Sequence, residues 1–219
     1  MSRSIFITAT DTGAGKTWVT AHLLRKLLLQ GIDAQALKPI ASGILDSGLN
    51  EDVACLLDVQ GNREASDINF HTYVSPVAPA LAAELEHKGI QPDDMYAWIK
   101  KQSRKAELTL IEGVGGLMVP LQAKPEHLWL VSDWLEQMAD ADVMLVVPLR
   151  LGCMNQALLS CQCLNAINRA PKWIVFNDIE NNHSGEETKR ILFPFLQRMF
   201  QQIPEILCVQ NPDDLNIKL

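Results

Sequence analysis

The stretch "RSIFITATDTGAGKTWVTAHLLRKLLLQG", residues 3–31, constrains this chain more than any other. Residues 4–8 form a short apolar run that reads as a buried strand. A turn containing Gly13 and Gly15 comes next. Residues 16–30 then carry Val19, Leu23, Leu24, Leu27 and Leu28 at helical spacing, and Gly31 supplies the stop. In that order, backbone N–H groups of the turn and the positive end of the helix dipole face one point, and a lysine can reach the outer oxygens of a phosphate chain held there. "GAGKT" therefore reads as a phosphate-binding loop, with Lys16 on the phosphates and the Thr17 hydroxyl available to Mg²⁺. Thr10 stands where the strict pattern G-x-x-x-x-G-K-[ST] needs glycine, so the loop is an altered form. The alternative is a plain strand-to-helix turn with a surface lysine; the strand–loop–helix context argues against it.

The remaining pattern repeats this alternation. Strands are expected at "DAQALKPI", "ELTLIEG", "DVMLVVP", "KWIVFND" and "EILCV". Helices are expected at 51–58, "PVAPALAAELE", "PDDMYAWIKKQS", "VSDWLEQM", "NQALLSCQCLNAI" and "GEETKRILFPFLQRMFQQ". Continuous apolar strands alternating with helices imply an α/β fold, a parallel sheet covered by helices on both faces. Residues 60–75 are polar and irregular and read as a surface loop. Residues 122–127 ("QAKPEH") read as a surface turn. The 219 residues, 47% of them hydrophobic, suffice for one core, so one domain over 1–219 is expected.

A net charge of −7 argues against non-specific nucleic-acid binding, which needs a basic face. No apolar run reaches the roughly 20 residues of a membrane span, and "MSRSIFITAT" is a poor signal peptide. Five cysteines, none in C-x-x-C spacing, read as reduced thiols of a cytoplasmic protein. The five scattered histidines read as surface or helix-end residues.

Further motifs carry a resemblance. "TATDTGAGKTWV" is similar to the loop of dethiobiotin synthetases, T-x-T-D-T-x-x-G-K-T. "LKPIASG" at 37–43, "NEDV" at 50–53, "LIEGVGGLMVPL" at 110–121, "LRLGCMNQALLS" at 149–160, "FND" at 176–178 and "NPDDL" at 211–215 resemble further segments of that family, in order along the whole chain. The resemblance implies a P-loop NTPase-type fold, a cytoplasmic homodimer with its active site at the interface, and a Mg²⁺- and ATP-dependent reaction. In that reaction 7,8-diaminononanoate and CO₂ give the ureido ring of dethiobiotin.

It also implies roles. Lys16 and Lys38 stabilise charge on the transferring phosphoryl and carbamate groups, and Thr12 joins them as a catalytic residue that also binds substrate. Gly13, Ala14, Gly15, Lys16, Thr17 and Trp18 hold nucleotide. Thr17, Asp52 and Glu112 surround Mg²⁺, an ion that takes hard oxygen ligands. Ser42 hydrogen-bonds substrate, and Gly113 and Gly115 bring backbone close to substrate and nucleotide. Gly152, Cys153, Met154 and Asn155 receive the substrate carboxylate at a helix start across the dimer. Asn177 and Asp178, with Pro204, face the base. From the residues alone plainer readings stand beside these. Lys38 could be an ordinary strand-end lysine, Ser42 a turn serine, Asp52 a helix-start acid, "GVGG" a plain glycine loop, Asn155 a helix N-cap, Cys153 a small buried residue and "NDI" a turn start.

Three positions depart from the family pattern. Gly13 stands where many members carry Glu, Ala9 where they carry Gly, and Gln156 where a histidine is common. Rival readings are a partitioning-type switch ATPase, which usually carries a second lysine early in the loop, and a nucleotide-binding paralogue without catalysis. The related amidotransferase synthetases need a glutaminase domain for which 219 residues leave no room.

Overall fold

The computed structural model describes residues 2–178 and 185–219. Six strands form one parallel sheet, in the order β10 (Glu205–Val209), β9 (Trp173–Asn177), β8 (Ala141–Pro148), β1 (Arg3–Ala9), β5 (Leu108–Gly116) and β2 (Ala34–Leu37). Helices flank it, notably α1 (Lys16–Leu29), α7 (Cys153–Ala166) and α8 (Gly185–Met199). The central strands are buried along almost their whole length, which is why their sequences run apolar instead of alternating.

The chain order creates the functional edge. From β1 it crosses to β2, returns to insert β5 between them, then passes to β8 on the other side of β1. The connections leaving β1 and β8 therefore diverge at the carboxyl end of β1, the reversal point where open parallel sheets bind ligands.

One segment differs from expectation, and a second keeps its expected surface turn within a larger unit. Residues 60–75 are not simply a surface loop. They contain α3 (Ala65–Ile68) and β4 (His71–Tyr73), which pairs in parallel with β3 (Ile40–Ser42). Ile68 and Tyr73 are fully buried. Two buried side chains five positions apart match neither the helical nor the strand period, so burial here came from tertiary packing. The second segment, "QAKPEH", is the tip of an antiparallel hairpin, β6 (Pro120–Lys124) with β7 (His127–Leu130).

Smaller shifts have local causes. The helix expected from Pro76 starts at α4 (Pro79–Leu85). Proline fits the first helical position because that N–H has no helical partner, and it holds the residue before it extended, as Ala78 is (ψ 140). The strand expected through Pro39 breaks at Lys38-Pro39 into β2 and β3. The other helices, α2 (Glu51–Gln60), α5 (Pro92–Ser103) and α6 (Val131–Gln137), lie close to their expected positions.

Candidate active site

The loop from β1 to α1 wraps the helix start as the sequence predicts. Gly15 takes a left-handed conformation (φ 85) and caps α1 without any side-chain hydrogen bond, so the first-turn N–H groups keep no side-chain partner. A Cβ on Gly15 would lie 2.1 Å from the Asn177 amide nitrogen. That amide donates to the Ala14 carbonyl at 3.0 Å, so the end of β9 is locked onto the loop. The Asn177 Oδ1 is buried without a partner among the described residues.

Lys38, Asp52, Glu112 and Thr17, separated by as many as 95 positions in the chain, meet beside this loop. The Thr17 hydroxyl lies 2.7 Å from both Asp52 Oδ1 and Glu112 Oε1. Lys38 Nζ sits 2.6 Å from Glu112 Oε1, 2.7 Å from Asp52 Oδ2 and 3.2 Å from the Gly113 carbonyl. Lys38 and Glu112 are buried, 2% and 0% exposed. Burial by itself would depress the Lys38 ammonium, but Glu112 and then Asp52 outweigh it and its pKa is raised. Burial opposes ionisation of Asp52 too, yet Lys38 and the Thr17 hydroxyl hold its carboxyl below the usual value. Lys16 is pushed down to about 8, first by burial and then by the charge of Lys38; its ammonium donates to the Asp11 carbonyl at 3.3 Å.

The framework of these groups comes from segments that local sequence did not mark. The Lys38 N–H donates to the Ile68 carbonyl, and the Asn69 amide donates to the Lys38 carbonyl, both at 2.7 Å. Asn50 caps α2 through its side-chain oxygen, and its amide donates to the Ser42 and Gly43 carbonyls. The Asn-before-acids pattern of "NEDV" was the signal for that cap. Asp11 accepts from Arg150 at 3.0 Å and from the backbone of Thr12, tying the loop to the segment that leads into α7.

A cavity of about 590 Å³ opens on this cluster. Thr12, Gly13, Gly15, Lys16, Thr17, Lys38, Ser42, Asp52 and Gly115 of the expected site line it. So do residues the sequence did not single out: Glu51, the Pro76–Pro79 run, Val114 and Val119. Ser42 Oγ is buried without a partner among the described residues. The Gly115 φ of 59 and a prospective Cβ only 2.6 Å from Val119 account for that glycine.

Other expected residues lie elsewhere. Gly113 is inside β5, packed on Phe6, and contributes only its carbonyl. Trp18 lies against His22 with ring centroids 4.2 Å apart. Gly152, Cys153, Met154 and Asn155 do not line the cavity. The cap of α7 is Gly152 (φ 93), not Asn155, and no side chain caps this helix start. Asp178 accepts from Gln210 beyond β10, while the turn that "NDI" would open runs from residue 179 outside the described residues. Pro204 is a correction. It precedes β10, whose first residue pairs with Trp173 at the start of β9, so it lies at the sheet edge opposite Asn177. At about 3.3 Å per residue, five residues of strand separate it from the loop side. Proline at a strand start is ordinary because no ladder donor is needed there.

The oxygens present suit Mg²⁺. Among the described residues Glu112 Oε2 is buried with no hydrogen-bond partner, and a hydroxyl and a second carboxylate lie beside it. Among the described residues no three His, Cys, Asp or Glu side chains converge, so an ion here would take its remaining ligands from phosphate and water.

Comparison with known proteins agrees with this architecture. A family model described as an AAA domain matches residues 3–216. The chain is 36% identical over 204 residues to the ATP-dependent dethiobiotin synthetase BioD of Sulfurovum sp., covering 90% of this chain and 91% of the relative. It is 32% identical to the enzyme of the same description from Aeromonas salmonicida, over 100% and 96% of the two chains. The chain belongs to the dethiobiotin synthetase family. Solved structures extend the likeness of fold alone. The hydrogenase maturation factor HypB of Archaeoglobus fulgidus matches with a TM-score of 0.56 at 14% identity, covering 95% of this chain and 81% of that one. The septum site-determining protein MinD of Pyrococcus horikoshii matches with a TM-score of 0.54 at 19% identity, covering 97% and 83%.

Proposed function

We propose that this family member is an ATP-dependent dethiobiotin synthetase, a carbon–nitrogen ligase of biotin biosynthesis. It closes the ureido ring of 7,8-diaminononanoate with CO₂, giving dethiobiotin, ADP and phosphate. The observation that carries the reading is Lys38. It is a buried ammonium held charged between two carboxylates, one side of the cavity from the phosphate loop, where a phosphoryl acceptor would meet the nucleotide.

One substrate amine attacks CO₂ and loses a proton, giving a carbamate. The carbamate oxygen then attacks the γ-phosphorus in line, the bond to ADP breaks, and a carbamic–phosphoric anhydride forms. The second amine attacks its carbonyl and expels phosphate, and no covalent enzyme intermediate is required. Positioning and electrostatics are the protein's share. Lys16 spreads charge from the phosphates, Lys38 neutralises charge on the carbamate and the transferring group, and the loop N–H groups orient the chain of phosphates. Thr17, Asp52 and Glu112 would hold Mg²⁺, which when bound neutralises phosphate oxygens. Thr12, Ser42 and Gly115 bind substrate. Asn177 offers Oδ1 to an exocyclic amino group of the base, with Asp178 next to it.

The chain acts as one domain, in the cytoplasm, as a homodimer. The residues behind the last inference are Leu151, Leu159 and Met118, which are exposed around α7, with Met118 against Cys163. A second copy covering that face would bring the uncapped start of α7 to the partner's substrate carboxylate. Five free cysteines suit a reducing compartment. Among the described residues no helix is long and apolar enough to cross a membrane.

The test is phosphate release from ATP with Mg²⁺ and bicarbonate, with and without 7,8-diaminononanoate. Release that requires the diamine is the expected result. Release without it would replace this reading with a switch ATPase.

A further inference from the structure

The cavity contains one charged group that the reaction above does not use. Glu51 is the first residue of α2, next to the Asp52 position, and it lines the same cavity as Lys16, Lys38 and Ser42. It is exposed and makes no hydrogen bond or ion pair among the described residues. Every other carboxylate in the neighbourhood is committed. Asp52 and Glu112 are paired with Lys38 and Thr17. Asp11 is paired with Arg150 and with the Thr12 backbone. Gly13, which also faces the cavity, has no side chain, and at φ 70 its backbone favours glycine. The remaining polar groups of the lining are the neutral Ser42 and Thr12 hydroxyls.

A vicinal diamine needs acceptors. Each amine carries two or three N–H donors, and in its ammonium form a positive charge as well. The cavity presents it with the Lys16 ammonium, which repels it, while the charge of Lys38 is spent on Asp52 and Glu112. A charge-assisted hydrogen bond is about twice as strong as a neutral one, so an uncommitted carboxylate is the natural counterpart. The apolar Pro76–Pro79 run beside it would pack the methylene chain.

We propose that Glu51 is the carboxylate that recognises an amine of the diamine substrate, a task that Gly13 cannot perform in this chain. The inference rests on the synthetase reading. Because Glu51 belongs to no part of the phosphoryl-transfer machinery, its loss weakens substrate binding without slowing the chemistry of bound substrate.

The experiment uses the full chain and the variants Glu51→Gln and Glu51→Asp, with steady-state kinetics and calorimetric titration of 7,8-diaminononanoate into the nucleotide-free protein. In Glu51→Gln the KM and the Kd for the diamine are expected to rise tenfold or more, with the KM for ATP and kcat at saturating diamine within twofold of the parent. Glu51→Asp is expected to recover part of the affinity through its charge; urea unfolding of Glu51→Gln, which a helix-start role would shift and substrate recognition would not, is expected to match the parent. A diamine Kd changed by less than twofold, a fall in kcat at unchanged KM, or equal loss for ATP and diamine would each overturn the proposal. Absence of diamine-dependent turnover in the parent would instead sink the synthetase reading. Parent diamine binding undetectable at millimolar concentration would overturn both.

Discussion

Replacing Lys38 by Met removes one ammonium from between two carboxylates. At the observed 2.6 and 2.7 Å, each pair is worth about 6 kcal/mol of gross Coulomb attraction at an effective dielectric near 20. Most of that only offsets the cost of burying the ions. The net effect of removing one partner is dominated by what stays behind, about 3–5 kcal/mol when a buried charge loses its counter-ion. Glu112 sets the size of the effect, because its side chain is fully buried and its Oε2 has no other partner. Asp52, at 39% side-chain exposure, is partly screened by water and adds less. Urea unfolding should therefore show a midpoint lowered by about 1–2 M at an unchanged slope, taking a slope of roughly 2–3 kcal/mol/M for a chain of this size. The control is Lys105→Met. Its pair with Asp67 is 3.0 Å long but 42% and 35% exposed, and its loss should cost about 1 kcal/mol or less. The double variant Lys38→Met/Glu112→Gln should be more stable than the sum of its parts predicts, by about 2 kcal/mol. A loss in Lys38→Met no larger than in Lys105→Met, or strict additivity in the double variant, would refute the account of this cluster as a desolvated network.

Gly15→Ala forces a side chain onto a residue at φ 85 and drives its Cβ into the Asn177 amide. It should cost more than about 1 kcal/mol in thermal unfolding and abolish ATP binding by fluorescence titration. Gly13→Ala is strained too at φ 70, but its Cβ would meet nothing within 4 Å, so it should cost about 1 kcal/mol in stability and retain binding. Lys16, with its pKa lowered to about 8 from 10.5, binds fewer protons in the folded than in the unfolded chain between those values. Its unfavourable contribution to stability is therefore complete below about pH 8 and fades as pH rises toward 10.5. Phosphates beside it favour the ammonium, so ATP binding near pH 8.5–9 should take up a proton and weaken as pH rises. Calorimetry in buffers of different ionisation enthalpy reads this directly, and binding with no proton uptake would contradict it.

The loop, the helix it opens and the parallel sheet were legible in the sequence because each is set by local chemistry. Glycines relieve the turn, Lys16-Thr17 sit at a helix start, and strands buried on both faces must be continuously apolar. Lys38 and Glu112 stood out as polar residues ending apolar strands, and the family pattern supplied their partners. Asn177 was visible for the same reason. Pro204 was misplaced because a proline beside a strand marks an end without saying which end of the sheet it faces.

Sequence alone thus determined the elements and the chemical identity of the phosphate loop. Tertiary structure decided what the other side chains do. The order in which β5 enters between β1 and β2 brings Glu112 to Lys38 and Thr17, residues 74 and 95 positions away. Tertiary packing also lets Ile68 and Asn69, within a segment that reads as loop, grip the backbone of Lys38. Which carboxylates are spent on neighbours and which one faces the cavity unpaired depends on distances of a few ångströms between distant segments. Periodicity and spacing record only neighbours along the chain, so that choice could be read only once the chain had folded.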